Sequence, residues 1–257
     1  MASLTSPSSS KGRKKKKKRS NTSILAETEK SWNFQAFPVK LSTGDLVKFN
    51  HVPSAHPAVT MTRDDMLVRL PLFSPSECQT LLSLTDSFSD WDDLTDSVDR
   101  KSENQHNIFD LAKGIDDGIL YPLCAKISEV VLQPILLQKF GLRNLILHWA
   151  FLRRYTPDGR NSFPVHRDSS AATVNILLSN PTDFTGAELY ILGNEYKSAD
   201  TLSGKQFRKL LPESDIRQNY AVSYRQGECC MHLGKRLHGV LPLTSGSRFT
   251  LILMYLP

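Results

Sequence analysis

The chain has 257 residues, of which 40% are hydrophobic and 23% charged, and its formal net charge is +6. This length suits one large domain, or one domain with an appended tail, and the apolar fraction can supply a full core. The composition excludes a chain disordered throughout, a collagen and a disulfide miniprotein. No apolar run approaches the roughly 20 residues of a membrane span, so we expect no membrane contact.

The cysteines and the N-terminus suggest a reducing compartment. Cys229 and Cys230 are adjacent, and the four cysteines form neither a disulfide framework nor a CxxC zinc pair. The first residues contain no apolar segment that resembles a secretory signal. We therefore expect a nuclear or cytoplasmic protein.

The positive charge is concentrated near the N-terminus. Eight Lys and Arg residues lie between Lys11 and Arg19, and the rest of the chain has 24 basic against 26 acidic residues. Residues 1–30 lack core-forming side chains and are predicted to be a disordered Lys-rich tail. This tail is typical of a nuclear localisation signal, or of a patch for nucleic acid or another acidic partner. A purely solubilising tail is the alternative.

The next part of the chain is predicted to support the main domain. Residues 31–66 contain aromatic residues and a Pro-punctuated stretch, which indicate an extended arm packed on the body. Ser74, Pro75 and Glu77 form a helix start with an N-cap, a proline in the first turn and a capping-box glutamate, and the helix should reach Asp86.

Two further segments complete this region. Residues 86–117 are rich in acidic residues and are predicted to be mostly loop. Leu120 to Phe140 has apolar residues at helical spacing and should form an amphipathic helix, which Pro134 could kink. We therefore predict a helical support region over residues 67–145.

After Gly141 the sequence has the alternation and the branched residues of β-strands. Short strands without long helices between them favour an antiparallel sandwich or jelly roll. We predict an α+β fold with a double-stranded β-helix (jelly-roll) core over residues 146–257 and flanking helices on one side. Residues 193–226 are a charged insertion with a short helix near Gln206–Leu211. The predicted strands are Leu145–Tyr155, Thr173–Leu178, Glu188–Leu192, Glu228–Leu233 and Arg248–Leu256.

Three residues of this region could bind a metal ion. His166 and Asp168 are two residues apart, so on a strand they point to the same side. His238 follows 70 residues after Asp168 and suits a facing strand of a rolled sheet. Two imidazoles and one carboxylate on one face of a metal are the facial triad of non-haem Fe(II).

Arg248 suits an anionic ligand of that metal. It comes ten residues after His238, and on a strand it shares its side with Thr250. A buried arginine is costly without an acidic partner, and the distal carboxylate of 2-oxoglutarate would provide one in bidentate contact. The alternative is a surface salt bridge at a strand start.

Longer motifs contain these residues and carry a family resemblance. Three segments together resemble the Fe(II)/2-oxoglutarate dioxygenases of the prolyl/lysyl hydroxylase type, and their sequence motifs are most similar to those of the lysyl hydroxylase branch. A fourth, PLFSPSECQTLL, resembles the helix that often precedes this domain. The three segments are YTPDGRNSFPVHRDSSAATVNILL, FTGAELYIL and GKRLHGVLPLTSGSRFTLILMYL.

The resemblance implies a role for each matching residue. His166, Asp168 and His238 would bind iron, and Arg248 would bind the distal carboxylate of 2-oxoglutarate. Tyr155 would give that carboxylate a second hydrogen bond. The family also implies ascorbate as the agent that keeps iron ferrous. Thr250 and Asn175 would line the cosubstrate pocket.

Two features differ from the family pattern. Many members have two or three glycines where this chain has Gly186-Ala187-Glu188, and the insertion at residues 193–226 is uncommon. His232 is a rival for His238 as a ligand, but the family places the ligand before the GxxP turn, which favours His238.

The implied activity is hydroxylation of a prolyl or lysyl, or other, side chain of a protein by O2, with release of succinate and CO2. A nucleic-acid demethylase of the AlkB type is less favoured, because Met254 stands where that family has a second arginine. The other alternative is a catalytically silent interaction protein that uses its basic tail to bind acidic partners. The insertion and the arm are where we expect substrate specificity.

Overall fold

A computed structural model of the chain describes residues 34–62, 67–89, 91 and 95–257. The predicted Lys-rich tail and the start of the predicted arm lie outside these residues. Residues 34–257 form one compact unit. In the part of the chain that is described, no helix has both the length and the apolar character needed to cross a membrane.

Strands dominate the described residues. In chain order they are β1 Gln35–Lys40, β2 Leu46–His51, β3 Thr60–Thr62, β4 Leu67–Pro71, β5 Gln105–Asp110, β6 Ile115–Asp116, β7 Ile146–Tyr155, β8 Phe163–His166, β9 Ala172–Leu177, β10 Phe184–Gly186, β11 Leu189–Ile191, β12 Glu228–Leu233, β13 His238–Val240, β14 Leu243–Gly246 and β15 Arg248–Leu256. The α-helices are α1 Pro75–Thr85, α2 Tyr121–Ile127, α3 Gln133–Phe140, α4 Gly204–Leu210 and α5 Glu213–Asn219.

The strands form two facing layers. The major sheet has the order β3-β4-β12-β9-β15-β7-β5-β6, and the opposite layer consists of β11-β13-β8 and of β10-β14. Every one of these pairings is antiparallel. Side chains of both layers share one apolar cluster, in which Tyr155 and Leu177 meet Phe163 and Val240. This is the jelly-roll core predicted from the sequence.

Helices cover the outer face of the major sheet. The predicted N-cap of α1 is confirmed, because the Ser74 side chain accepts a hydrogen bond from the backbone N–H of Glu77. The predicted capping box is not formed, because the Glu77 carboxylate accepts a hydrogen bond from the backbone N–H of Lys48 at 2.9 Å instead. The predicted helix over residues 120–140 is present but contains a π-helical segment, Ser128–Leu132, directly before α3. Pro134 lacks an N–H group, so the helix cannot continue with regular bonding through that position. The wider turn of the π-helical segment accommodates Pro134.

The prediction that residues 86–117 are mostly loop was wrong for part of that segment. Strand β5 extends the major sheet by pairing with β7. Its sequence, QHNIFD, is mostly polar, yet Gln105 is fully buried and accepts a hydrogen bond from Arg153 at 2.9 Å. Polar composition therefore concealed a strand whose polar side chains have partners inside the protein. The predicted extended arm likewise contains a hairpin, β1-β2, whose Val47 and Phe49 join the main core.

The insertion at residues 193–226 packs on the outer face of the smaller layer. Phe207, Leu211 and Ile216 form an apolar cluster with Val165 and Leu241 of that layer. The predicted short helix is confirmed as α4, which begins with a capping box formed by Ser203 and Gln206. Helix α5 follows it directly and was not predicted. The insertion is thus fixed to the jelly roll beside strands β8 and β13.

Candidate metal and cosubstrate site

The three predicted metal ligands meet at the edge of the smaller layer. His166 ends β8, His238 begins β13, and the two residues are paired across these adjacent strands. Asp168 lies just after β8, with its carboxylate 3.2 Å from Nε2 of His166 and 3.4 Å from Nε2 of His238. His238 was expected on a facing strand, whereas β13 is the neighbour of β8 in the same layer. All three possible ligand atoms lie within 4.8 Å of one another.

Backbone carbonyls orient both imidazoles. Nδ1 of His166 is 2.9 Å from the carbonyl oxygen of Pro164, and Nδ1 of His238 is 2.9 Å from that of Arg236. Since a carbonyl oxygen only accepts, each Nδ1 carries the hydrogen and each Nε2 keeps its lone pair. Both lone pairs are thereby available on the side where the Asp168 carboxylate lies, as metal ligands require.

Hydroxyl groups fix the carboxylate of Asp168. The Thr173 hydroxyl donates to Oδ2 of Asp168 at 2.5 Å, and Ser170 lies 2.8 Å from the same hydroxyl. Burial opposes the charged form, but attraction to His238 and the close contact with the His166 imidazole hold the pKa of Asp168 well below its usual range. Burial lowers the pKa of His238 to about 3, although Asp168 acts in the opposite direction. Asp168 is therefore ionised and His238 neutral near pH 7.

This donor set fits Fe(II). Two imidazoles and one carboxylate occupy a single face, which leaves the opposite side available to a cosubstrate and O2. A cavity of about 290 Å³ opens beside the three ligands. Among the described residues, this is the one group of three or more potential ligand side chains with metal-binding spacing.

Arg248 is a buried cation with aromatic neighbours. It is 3% exposed, and its guanidinium lies 5.3 Å from the ring centre of Tyr155, its partner across β7 and β15. Within the described part of the chain, no carboxylate lies at ion-pair distance from it. A buried cation without an acid suits the carboxylate of a bound ligand. Tyr155 lines the cavity, and its ring is the contact between the cavity wall and Arg248.

The two predicted pocket residues have different surroundings. Thr250 is 1% exposed, and its hydroxyl has no hydrogen-bond partner, so it could bond to a ligand. Asn175 lines the cavity, and its amide nitrogen lies 3.4 Å from Nε2 of His232. His232 is fully buried, and Nδ1 lies 3.1 Å from the carbonyl oxygen of Leu233. The structure therefore groups His238, and not His232, with His166 and Asp168.

Two further residues of the site were not predicted. The hydroxyl of Tyr224 accepts a hydrogen bond from Nη2 of Arg248 at 2.6 Å, and Tyr224 belongs to the insertion. Arg153 lines the cavity and is anchored by Gln105, while its Nε lacks a partner. Arg153 shares its strand side with Tyr155, and this periodicity could have indicated it. No local pattern marks Tyr224, because its position depends on the path of the insertion.

Comparisons with known proteins point to one enzyme class, although no protein-family model matches the chain. The mouse 2-oxoglutarate and iron-dependent oxygenase domain-containing protein 2 is 27% identical over 193 residues, which are 75% of this chain and 50% of that protein. A procollagen lysyl hydroxylase and glycosyltransferase of Acanthamoeba polyphaga mimivirus is 26% identical over 192 residues, 71% of this chain and 18% of that protein. An oxidoreductase of the 2OG-Fe(II) oxygenase family from Burkholderia pseudomallei has a similar crystal structure, with a TM-score of 0.52 at 15% identity and coverage of 74% of this chain and 84% of that one.

These findings confirm the resemblance to Fe(II)/2-oxoglutarate dioxygenases and the predicted jelly-roll fold. The mouse relative and the structural neighbour are 2-oxoglutarate- and iron-dependent oxygenases by name, which is the enzyme class that the sequence indicated. The chain spans about half the length of the mouse protein that it matches.

Proposed function

We propose that the chain is an Fe(II)- and 2-oxoglutarate-dependent dioxygenase that hydroxylates a prolyl or lysyl side chain of a protein. The observation that carries the proposal is the grouping of His166, Asp168 and His238 at a cavity that Tyr155 also lines, together with the buried cation Arg248, which contacts the Tyr155 ring. A catalytically silent protein would not need to keep both a preorganised ligand set and a buried arginine without an acid.

Each side chain has a defined task in this proposal. His166, Asp168 and His238 would hold Fe(II), which when bound supplies the oxygen chemistry that couples 2-oxoglutarate decarboxylation to C–H hydroxylation, with succinate and CO2 as coproducts. Arg248 would bind the distal carboxylate and so orient the keto acid toward the ligands. Thr173 holds the Asp168 carboxylate in place. Ascorbate would maintain the ferrous state.

A protein side chain is the substrate class that we favour. The viral relative carries the name of a procollagen lysyl hydroxylase, and its similarity covers 71% of this chain. Met254, which lines the cavity, stands where AlkB-type demethylases have a second arginine. Outside the Lys-rich tail, basic residues do not exceed acidic ones, unlike the usual nucleic-acid binder.

The first test is succinate production by purified full-length protein with Fe(II), 2-oxoglutarate and ascorbate. We expect uncoupled turnover in the wild type and its loss in His238→Ala, together with loss of bound metal. The matched control is His232→Gln, which changes a buried histidine outside the ligand group and should retain one metal ion per chain. A wild type that neither binds iron nor makes succinate would overturn the proposal.

The second test identifies the substrate class. Peptide libraries centred on lysine or on proline are incubated with the enzyme, and mass spectrometry detects the gain of one oxygen atom. Methylated oligonucleotides serve as the comparison. Turnover stimulated by the oligonucleotides, with no peptide oxidised, would contradict the assignment to protein substrates while leaving the dioxygenase chemistry intact.

A further inference from the structure

A basic cleft adjoins the candidate metal site. It has a volume of about 380 Å³ and lies between the start of the insertion and the turn that precedes His238. Half of the residues that line it are cationic, and no acidic residue is among them. The cationic residues are Arg167, Lys197, Lys235 and Arg236.

Arg167 joins the cleft to the metal site. It stands in the chain between the predicted ligands His166 and Asp168, and it lines both the cleft and the cavity of the metal site. Its guanidinium is held by Asp200 at 2.9 Å and by the backbone carbonyls of Lys197 and Lys235. Arg167 is therefore held in place as a wall residue that the two spaces share.

The other three cationic residues of the cleft have N–H groups that are available to a ligand. Within the described part of the chain, neither Lys197 nor Lys235 forms an ion pair, and both are exposed. Nη1 of Arg236 donates to Asn194 at 2.7 Å, while its Nε is buried and has no acceptor. Buried hydrogen-bond donors in proteins nearly always have an acceptor. A buried Nε of Arg236 without an acceptor among the described residues, beside Lys197 and Lys235, therefore points to an anionic ligand.

We infer that this cleft binds carboxylate side chains that flank the target residue of a peptide substrate. The inference rests on the proposed function, because it extends the substrate from the metal cavity past Arg167 into the cleft. Carboxylates match the donors of arginine and lysine, and such charge-assisted bonds are about twice as strong as neutral ones. The enzyme would then prefer a lysine or proline in an acidic sequence context.

The chemistry of the cleft favours a peptide over a nucleic acid. The uncharged residues on its wall are Leu192, Gly193, Asn194 and Leu237, none of which is aromatic. Single-stranded nucleic acids are usually held by bases stacked on aromatic rings along an extended basic groove. A compact group of four cations around Leu192 and Leu237 suits one or two carboxylates on a partly apolar chain.

The test measures the binding of short fluorescein-labelled peptides to the full-length protein by fluorescence anisotropy. The protein is loaded with Mn(II) and 2-oxoglutarate so that no turnover occurs. Each peptide has one central lysine or proline, and glutamate is moved through the flanking positions against alanine and lysine. The variant is Lys197→Glu/Lys235→Glu, and the matched control is Lys205→Glu/Lys209→Glu, which makes the same charge change on exposed residues of α4.

We expect the best glutamate-flanked peptide to bind at least about tenfold more weakly to the cleft variant, a loss typical of one charged contact. Binding to the control variant should stay close to that of the wild type. This comparison also removes any contribution of the Lys-rich tail, which is the same in both variants. The affinity for 2-oxoglutarate should be equal in all three proteins.

Several results would overturn the inference. One is equal weakening in the cleft and control variants, and another is the absence of any glutamate preference. Preferential binding of single-stranded RNA that is lost in the cleft variant would assign the cleft to nucleic acid instead. Failure of the wild type to bind Mn(II) and 2-oxoglutarate would count against the proposed dioxygenase, which separates the two proposals.

Discussion

The hydroxyl oxygen of Tyr224 lies 2.6 Å from Nη2 of Arg248, and both side chains are buried. Because a guanidinium only donates, the phenol accepts, and its own hydrogen has no acceptor among the described residues. A carboxylate placed against Arg248 could take that hydrogen. The insertion thus brings a second phenol, besides Tyr155, to the expected end of the cosubstrate.

Replacing Tyr224 should weaken cosubstrate binding. We expect Tyr224→Phe to bind 2-oxoglutarate roughly tenfold more weakly, since a hydrogen bond to a charged group contributes about 1.5–3 kcal/mol. Binding of 2-oxobutyrate, which lacks the distal carboxylate, should not change. Affinities are measured anaerobically from the visible absorption of the Fe(II) complex.

Tyr220→Phe is the control for this substitution. Tyr220 lies in the same insertion, but its hydroxyl contacts Glu195 at 3.2 Å and Tyr196 at 3.3 Å. Its loss should leave the affinity for both keto acids as in the wild type. An equal loss of affinity for 2-oxoglutarate and 2-oxobutyrate in Tyr224→Phe would show that the phenol does not act on the distal carboxylate.

Removing the hydroxyl that holds Asp168 should weaken metal binding. Thr173→Val keeps the shape of the side chain but deletes the donor at 2.5 Å from the carboxylate. Loss of such a partner typically lowers metal affinity by about 10–100-fold, and we expect an effect in this range for Co(II) followed by absorption titration. Thr173→Ser, which restores the hydroxyl, should recover most of the affinity. Equal affinities for the valine and serine variants would refute an orienting role.

The ion pair between the buried Arg160 and the partly buried Asp99 should matter for stability. Arg160 is 1% exposed, and its two terminal nitrogens lie 3.2 and 3.0 Å from the Asp99 carboxylate. Arg160→Met leaves this acid without its partner and should lower the free energy of unfolding by about 3–5 kcal/mol. The exposed pair of Arg217 and Glu188 is the comparison, and Arg217→Met should cost less than about 1 kcal/mol. Urea unfolding measures the free energy of unfolding of both variants. Similar losses in the two variants would contradict the expected difference between the two ion pairs.

The four cysteines should react slowly in the native protein. All are free and buried, and burial raises the pKa of Cys78 to about 12. Burial also raises the pKa of Cys124, Cys229 and Cys230. Because the thiolate is the reactive form, labelling of Cys78 at pH 8 should be roughly a thousandfold slower than for an ordinary thiol.

Ellman's reagent checks this prediction. The rate for Cys78 should rise about tenfold per pH unit, since its thiolate fraction grows until the pH reaches the raised pKa. In urea all four thiols should react at once. Rapid labelling of a native thiol near pH 7 would contradict the burial of these residues.

The sequence predicted the strands that carry the site better than the elements around it. The bounds of β12 and β15 are those predicted, because turn-forming residues flank both strands: Gly227 and Gly234 the first, Ser247 and Pro257 the second. The metal ligands could be predicted because His166 and Asp168 are only two residues apart, although Asp168 lies after the end of β8 and not on the strand as expected. The position of His238 on the strand next to β8, however, depends on how the strands pair in the folded layer, which the sequence pattern does not contain.

Other features depend on contacts that sequence patterns do not contain. Strand β5 is polar, and it is stabilised by partners such as Arg153, which lies 48 residues away in the chain. Tyr224 reaches Arg248 because α4 and α5 return the insertion to the jelly roll. The buried Nε of Arg236, which has no acceptor among the described residues, likewise cannot be recognised before the insertion forms the opposite wall of the cleft.

Strand β15 lies between β7 and β9, at the centre of the eight-stranded sheet. During synthesis, β15 is therefore made about 70 to 100 residues after the strands β7 and β9 with which it pairs. Such non-local strand pairing is intrinsically slow. Arg248, the proposed ligand of the cosubstrate, lies on that same strand. Ribosome-bound chains that end before residue 248 would lack both the central strand and Arg248, so acquisition of the fold and of the cosubstrate site should coincide in time.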